Sequence, residues 1–60
     1  MFKPFHFKSW ALIYAREAGL TDQRVFKYYC KRDECYMYGL IHKDSTGIIK
    51  RMMPDAEFLN

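Results

Sequence analysis

No stretch of this chain approaches the ~20 consecutive apolar residues that a membrane-spanning helix requires. The longest apolar run extends only from Cys35 to Ile41 and includes a glycine. From Met1 to Trp10 the chain alternates Phe with Lys, Pro and His, which offers no continuous secretory core. A cytoplasmic protein is therefore the expectation, with Cys30 and Cys35 as reduced thiols. Internal repeats, linkers and low-complexity segments are also missing, which leaves one domain over 1–60. Metal-ligand pairs at close spacing are lacking, since His6 and His42 are isolated and Cys30 and Cys35 have no nearby His pair. No metal and no cofactor are expected. Nothing in the sequence orients a Cys–His pair, and a chain this short has little room for a pocket. A non-enzymatic protein is expected.

Rings and positive charge are present instead. Half of the 60 residues are apolar, and five Phe, five Tyr and one Trp supply the side chains that bury most area each. A disordered tail is poor in such residues. A domain of this size buries only ~60% of the surface its unfolded chain exposes, so its stability is marginal. Ten Lys and Arg against seven Asp and Glu give a net charge of +3. This suits a polyanionic partner, although placement matters more than the sum.

Along the chain, 1–8 reads as an N-terminal arm. Ser9 is a candidate helix cap, Trp10 to Ala18 continue without Gly or Pro, and Gly19 is a natural helix stop. Thr21 is the next candidate cap, and Asp22 suits the first turn of a helix. Val25, Tyr28, Tyr29 and Arg32 then recur at helical spacing, which predicts a second helix over 21–32. Cys35 to His42 reads as an aromatic-rich strand and Lys43 to Gly47 as a polar turn. Ile48 to Met53 reads as the returning strand, ended by Pro54. The segment 55–59 is expected to form one closing helical turn.

Two helices crossing through a tight turn need a small residue at the crossing, a permissive turn residue and apolar filling between them. Ala15, Gly19 and the set Tyr14, Ala18, Leu20, Val25 and Tyr28 meet these needs. A generic helical hairpin in a small α+β domain is the alternative. The run from Ala15 to Tyr29 resembles the opening of MerR-type and phage excisionase-type winged helices. Lys31-Arg32-Asp33-Glu34 is similar to the end of their recognition helix, with Asp33 where the family usually has Gly. Gly47 through Arg51 to Leu59 resembles their closing segment. The resemblance implies an α+β winged helix, a helix-turn-helix followed by a β-hairpin wing over 35–53. It also implies a double-stranded DNA-binding protein, an excisionase or a small repressor. Its further partners would be a second copy of itself or another DNA-bound protein such as an integrase. No coiled-coil helix follows, which argues against an effector-sensing activator.

In that arrangement the major groove would receive Thr21, Gln23, Arg24, Lys27 and Lys31, with Gln pairing to adenine and Arg or Lys to guanine. Lys43, Lys50 and Arg51 on the wing would reach phosphates or the minor groove. The competing reading of these residues is a solvated polar face. Phe2, Phe5, Phe7, Trp10 and Ile13 form an apolar cluster that either folds back over the first helix or serves as a protein interface. The second reading makes the chain a small interaction module or inhibitor.

Overall fold

A computed structural model describes residues 2–59. Met1 and Asn60, the outer ends of the expected 1–60 domain, lie outside the described residues, Met1 being also the start of the 1–8 arm. In chain order the elements are β1 (Pro4–Phe5), α1 (Lys8–Glu17), β2 (Gln23–Cys30) and β3 (Cys35–His42). A 3-10 turn (Lys43–Ser45), α2 (Thr46–Met52) and β4 (Glu57–Phe58) follow.

The first helix forms where good helix formers are concentrated, with Ala, Leu, Arg and Glu among its residues. It starts two residues earlier than expected: Phe7 in place of Ser9 holds the extended cap position, with no side-chain capping bond. Gly19 ends it as expected. The Leu20 amide donates to the Ala15 carbonyl at 2.8 Å and the Gly19 amide to the Arg16 carbonyl at 3.1 Å. Gly19 sits at φ 70. This is the reciprocal pair of bonds that a left-handed residue allows after a helix.

Past Gly19 the expectation fails. Residues 21–32 do not form a second helix, and Gln23–Cys30 is a strand. Val25, Phe26, Tyr28 and Tyr29 are β-branched or aromatic, types that lose rotamer freedom in a helix and fit a pleated sheet. A strand covered on both faces shows no clean alternation, so its apolar residues can fall at helical spacing by coincidence. Val25 and Phe26, adjacent in sequence, are both buried, one on each face. The hairpin is β2–β3, closed by the turn at Lys31–Glu34, where Glu34 takes the left-handed conformation at φ 53.

Cys35–His42 is a strand as expected, but Ile48–Met53 does not return beside it. Both neighbours of β3 are already supplied, by β2 on one side and β1 on the other. The expected wing over 35–53 therefore does not form. Thr46–Met52 is helical, burying Ile49 and placing Lys50 and Arg51 in the last turn, where the helix dipole favours cations. The segment 55–59, expected as a helical turn, contains β4, which pairs Phe58 with Phe26 and Glu57 with Lys27. The architecture is a small mixed α+β domain with two helices and an open four-stranded antiparallel sheet in the order β1-β3-β2-β4.

Register assigns the two faces, because directly opposed residues in an antiparallel pair point the same way. Val25 opposes Leu40 on the first face, where α1 sets down Ala11 and Phe5 packs alongside. Phe26 opposes Gly39 on the second face, where Ile49 of α2 and Ala56 complete a separate cluster. The arm divides between the faces. Phe5 packs against Tyr14 of α1 at 5.5 Å, whereas Phe2 packs edge-on to Phe26 at 5.0 Å.

The Phe26 ring lies over Gly39 so closely that a Cβ there would stand 2.5 Å from its Cζ. Gly39→Ala should therefore overpack the buried second face and cost about 1–3 kcal/mol of unfolding free energy in a urea titration. Gly47, inside α2, meets nothing within 4 Å. Gly47→Ala should change stability with the opposite sign, a gain of about 0.5–1 kcal/mol.

Candidate nucleic-acid interface

The first face of the sheet is only partly covered. α1 reaches Val25 and Leu40, and beyond them the face carries Lys27 opposite Tyr38, then Tyr29 opposite Tyr36. Tyr29 and Tyr36 are 52% and 58% exposed, so two aromatic rings on neighbouring strands stand open to solvent. Their centroids are 5.3 Å apart with planes at 79°. The Lys27 ammonium sits 4.6 Å from the Tyr36 centroid, a cation–π contact on the same face.

The turn at the end of this ribbon adds Lys31 and Arg32. The Arg32 side chain is 92% exposed and makes a loose 3.9 Å ion pair with Asp33. An exposed pair of that kind holds little energy, so the guanidinium is available to another partner. Acidic groups are also close: Glu57 opposes Lys27 across β2–β4, and Asp33 and Glu34 share the turn. The interface is aromatic with modest positive charge, and it is not a basic stripe.

The residues singled out from sequence do not share a face. Lys27 and Lys31 lie at the open end of the ribbon. Gln23 is on the same face but at the opposite end, beside His42, and Thr21 lies exposed in the connection before β2. Arg24 points to the second face, its guanidinium carbon 4.5 Å from the Phe58 ring centroid. Lys43 closes the other end of the sheet, its amide donating to the Asp22 carbonyl at 2.9 Å and its ammonium 3.7 Å from the Asp22 carboxylate. Asp22 thus holds a sheet end instead of starting a helix. The Lys50 ammonium donates to the Ala56 carbonyl at 2.7 Å and to the Pro54 carbonyl at 3.3 Å, which ties down the loop leading into β4. Arg51 is exposed on α2.

Sequence reading missed Tyr29 and Tyr36 as surface groups, because a helix over 21–32 turned Tyr29 toward the core. The signal was nonetheless present in two aromatic runs, Tyr28-Tyr29 and Tyr36-Met37-Tyr38, flanking a charged turn. Tyr28 points the other way, packing against Phe2 at 5.4 Å and Phe26 at 5.6 Å. Burial pushes its phenol above the usual value of 10.0, and the Cys30, Asp33 and Cys35 charges act in the same direction. The fold thus favours the neutral phenol. That contribution is fully present below the ordinary tyrosine value and is lost as pH rises through the raised one.

Cys30 also stands differently from expectation. It and Cys35 are both on strands, as direct register partners, where sequence reading placed Cys30 on a helix. A cleft of about 310 Å³ is lined by Tyr28, Tyr29, Lys31 and the segment Met52–Ala56. On the far side of the molecule, α1 turns its large side chains outward. Phe7 and Trp10 meet edge-on at 4.9 Å, and with Ile13 they are about half exposed. No helix among the described residues is long and apolar enough to cross a membrane.

No protein-family model, curated protein or solved structure matches this chain.

Lys50 and Arg51, both expected from sequence to contact phosphates, separate cleanly by role. Lys50→Ala should cost about 1–3 kcal/mol of unfolding free energy, because it strips a charge-assisted bond from a part-buried carbonyl. Arg51→Ala should stay within about 0.5 kcal/mol of the parent. Urea titrations of the two variants side by side provide the check.

Proposed function

We propose that this chain binds single-stranded nucleic acid, stacking bases on Tyr29 and Tyr36 and meeting phosphates with Lys27, Lys31 and Arg32. The observation that carries this reading is the pair of register-matched tyrosines, each more than half exposed on the uncovered end of a sheet face. Phe7 and Trp10 on α1 are exposed to a similar degree, but Tyr29 and Tyr36 stand side by side on neighbouring strands with a lysine ammonium against one ring. Stacking on a base face is worth about 1–3 kcal/mol per base and tolerates any sequence. An incoming base would take the Tyr36 ring face that the Lys27 ammonium now covers, which frees that ammonium for the adjoining phosphate.

The double-stranded reading expected from sequence assigned residues 21–32 to a recognition helix, and that segment is a strand. A two-stranded ribbon also fits a major groove ~12 Å wide, but base-edge readout there relies on side chains such as Arg, Lys, Asn or Gln, and at the open end of this face Lys27 is the one such strand residue. The rest of that open end presents the phenol rings of Tyr29 and Tyr36. Thr21, Gln23, Arg24, Lys43, Lys50 and Arg51 have no part in the proposed site, whereas Lys27 and Lys31 do. An excisionase or repressor role depended on the recognition helix and is not carried over.

Binding of a labelled single-stranded DNA, the same sequence as RNA, and the corresponding duplex should be compared by fluorescence anisotropy at several salt concentrations. Single strands should bind more tightly than the duplex. Tyr36→Ala and Tyr29→Ala should each cost about 1–3 kcal/mol, with Lys43→Ala unchanged. Salt dependence should be shallow, since each phosphate contacted on a single strand contributes only about −0.7 to the log–log slope. Preference for the duplex, or indifference to both tyrosine substitutions, would overturn the proposal. Salt-tolerant self-association that is lost on Trp10→Ala, with no oligonucleotide bound, would favour the interaction-module reading. It would make the outward strip of α1 the working surface, apposed two-fold to its own copy.

A further inference from the structure

We infer that Cys30 and Cys35 form a covalent modification site, a dithiol that closes reversibly to an intramolecular disulfide across the β2–β3 ribbon. The inference stands on the ribbon's geometry and does not require that the tyrosine face bind nucleic acid.

The two residues are direct Cα partners, so their side chains leave the same face of the ribbon. The hydrogen-bonding phase of the ribbon can be read from its edge. The Leu59 amide donates to the Val25 carbonyl at 2.8 Å, which turns the Val25 backbone groups away from β3. Orientation alternates along a strand, so Arg24, Phe26, Tyr28 and Cys30 direct their backbone groups toward β3. Cys30 and Cys35 therefore occupy a hydrogen-bonded pair, with a Cα separation of ~5.5 Å. Disulfides span Cα separations of ~4.4–6.8 Å, most often ~5.5–6 Å. Both thiols are free and only partly buried, within reach of a small oxidant. Only the turn 31–34 lies between them, so closure brings together groups that the fold already holds side by side.

In the reduced state the Cys30 thiol is turned toward the Asp33 carboxylate, at 3.7 Å. Closure exchanges that weak contact for a bond. The oxidant class is a low-molecular-weight disulfide such as oxidised glutathione. One cysteine thiolate attacks it and expels a glutathione thiolate, leaving a mixed disulfide. The second cysteine then attacks the protein-bound sulfur and expels the second glutathione. Two protein thiols are oxidised by two electrons, one glutathione disulfide is reduced to two thiols, and the two protons pass to the leaving thiolates. In a hydrogen-bonded pair the Cβ atoms must draw in to the ~3.5–4.5 Å that a disulfide requires. The ribbon therefore has to tighten beneath Tyr29 and Tyr36, the residues next to the two cysteines. A bond closed under such strain is readily reduced again.

The test is equilibration of the full chain in glutathione buffers of graded oxidised-to-reduced ratio, with acid quenching and intact mass measurement. The expected product is a monomer lighter by two hydrogen atoms, reverting fully on return to reduced glutathione. Near-ultraviolet circular dichroism of the tyrosines should change in step with it. Cys30→Ser and Cys35→Ser should each stop at a single glutathione adduct. The double serine variant, checked for folding by far-ultraviolet circular dichroism, should show no response. A doubly glutathionylated chain, a disulfide-linked dimer as the main product, or two thiols unreacted in the most oxidising buffer would overturn the inference.

Discussion

Every other element of this domain takes its place from the register of β2 against β3, fixed where Phe26 lies over Gly39 and Val25 faces Leu40. A one-residue slip would exchange the faces, moving Phe26 out of one cluster and Val25 out of the other. The missing side chain at Gly39 makes the arrangement possible, because the Phe26 ring occupies the space that a Cβ would take. With that pair locked, β1 and β4 are short additions to the outer edges, and each helix has a defined face to cover.

Covering is where the small size of the chain matters. A sheet with two apolar faces needs a layer on each, and this chain supplies one ten-residue helix and one seven-residue helix. α1 meets the sheet through Ala11 and Ala15, which brings it close but shields little area. The ribbon therefore runs past its cover. At that overhang the outward residues are Lys27, Tyr29 and Tyr36, which combine apolar bodies with polar tips and tolerate partial exposure. The candidate interface is a consequence of incomplete coverage: the same register that builds the core sets two rings side by side in solvent.

Much of the local punctuation was legible in the sequence. Gly19 was readable as a helix stop because only a residue at ease with positive φ terminates α1 in this way. Cys35–His42 was readable as a strand from its density of rings, and the mixed α+β class followed. The partner of that strand was not readable. The stripe of Val25, Tyr28, Tyr29 and Arg32 satisfied a helical period, yet long-range pairing with 35–42 overrode it. Sequence periodicity carries no information about which segment arrives alongside. Assigning a helix to 21–32 then displaced the hairpin by one element, which turned α2 into an expected strand. The site followed the same error: charged residues on one face of an expected helix are dispersed over both faces and both ends of a sheet. Tyr29 and Tyr36, separated in sequence by a charged turn, become neighbours only through the register.

The measurement that bears most directly on this account is a two-dimensional NMR spectrum of the free chain, read for backbone contacts between 21–32 and 35–42. Tyr29 and Tyr36 fall in a non-hydrogen-bonded pair, the class whose Cα atoms approach to ~4.5 Å. A strong cross-strand Hα–Hα contact between them is expected, with a second between Lys27 and Tyr38. Sequential amide–amide contacts and Hα-to-amide contacts three residues apart through 21–32, with no contact between Tyr29 and Tyr36, would contradict the register and the interface built on it.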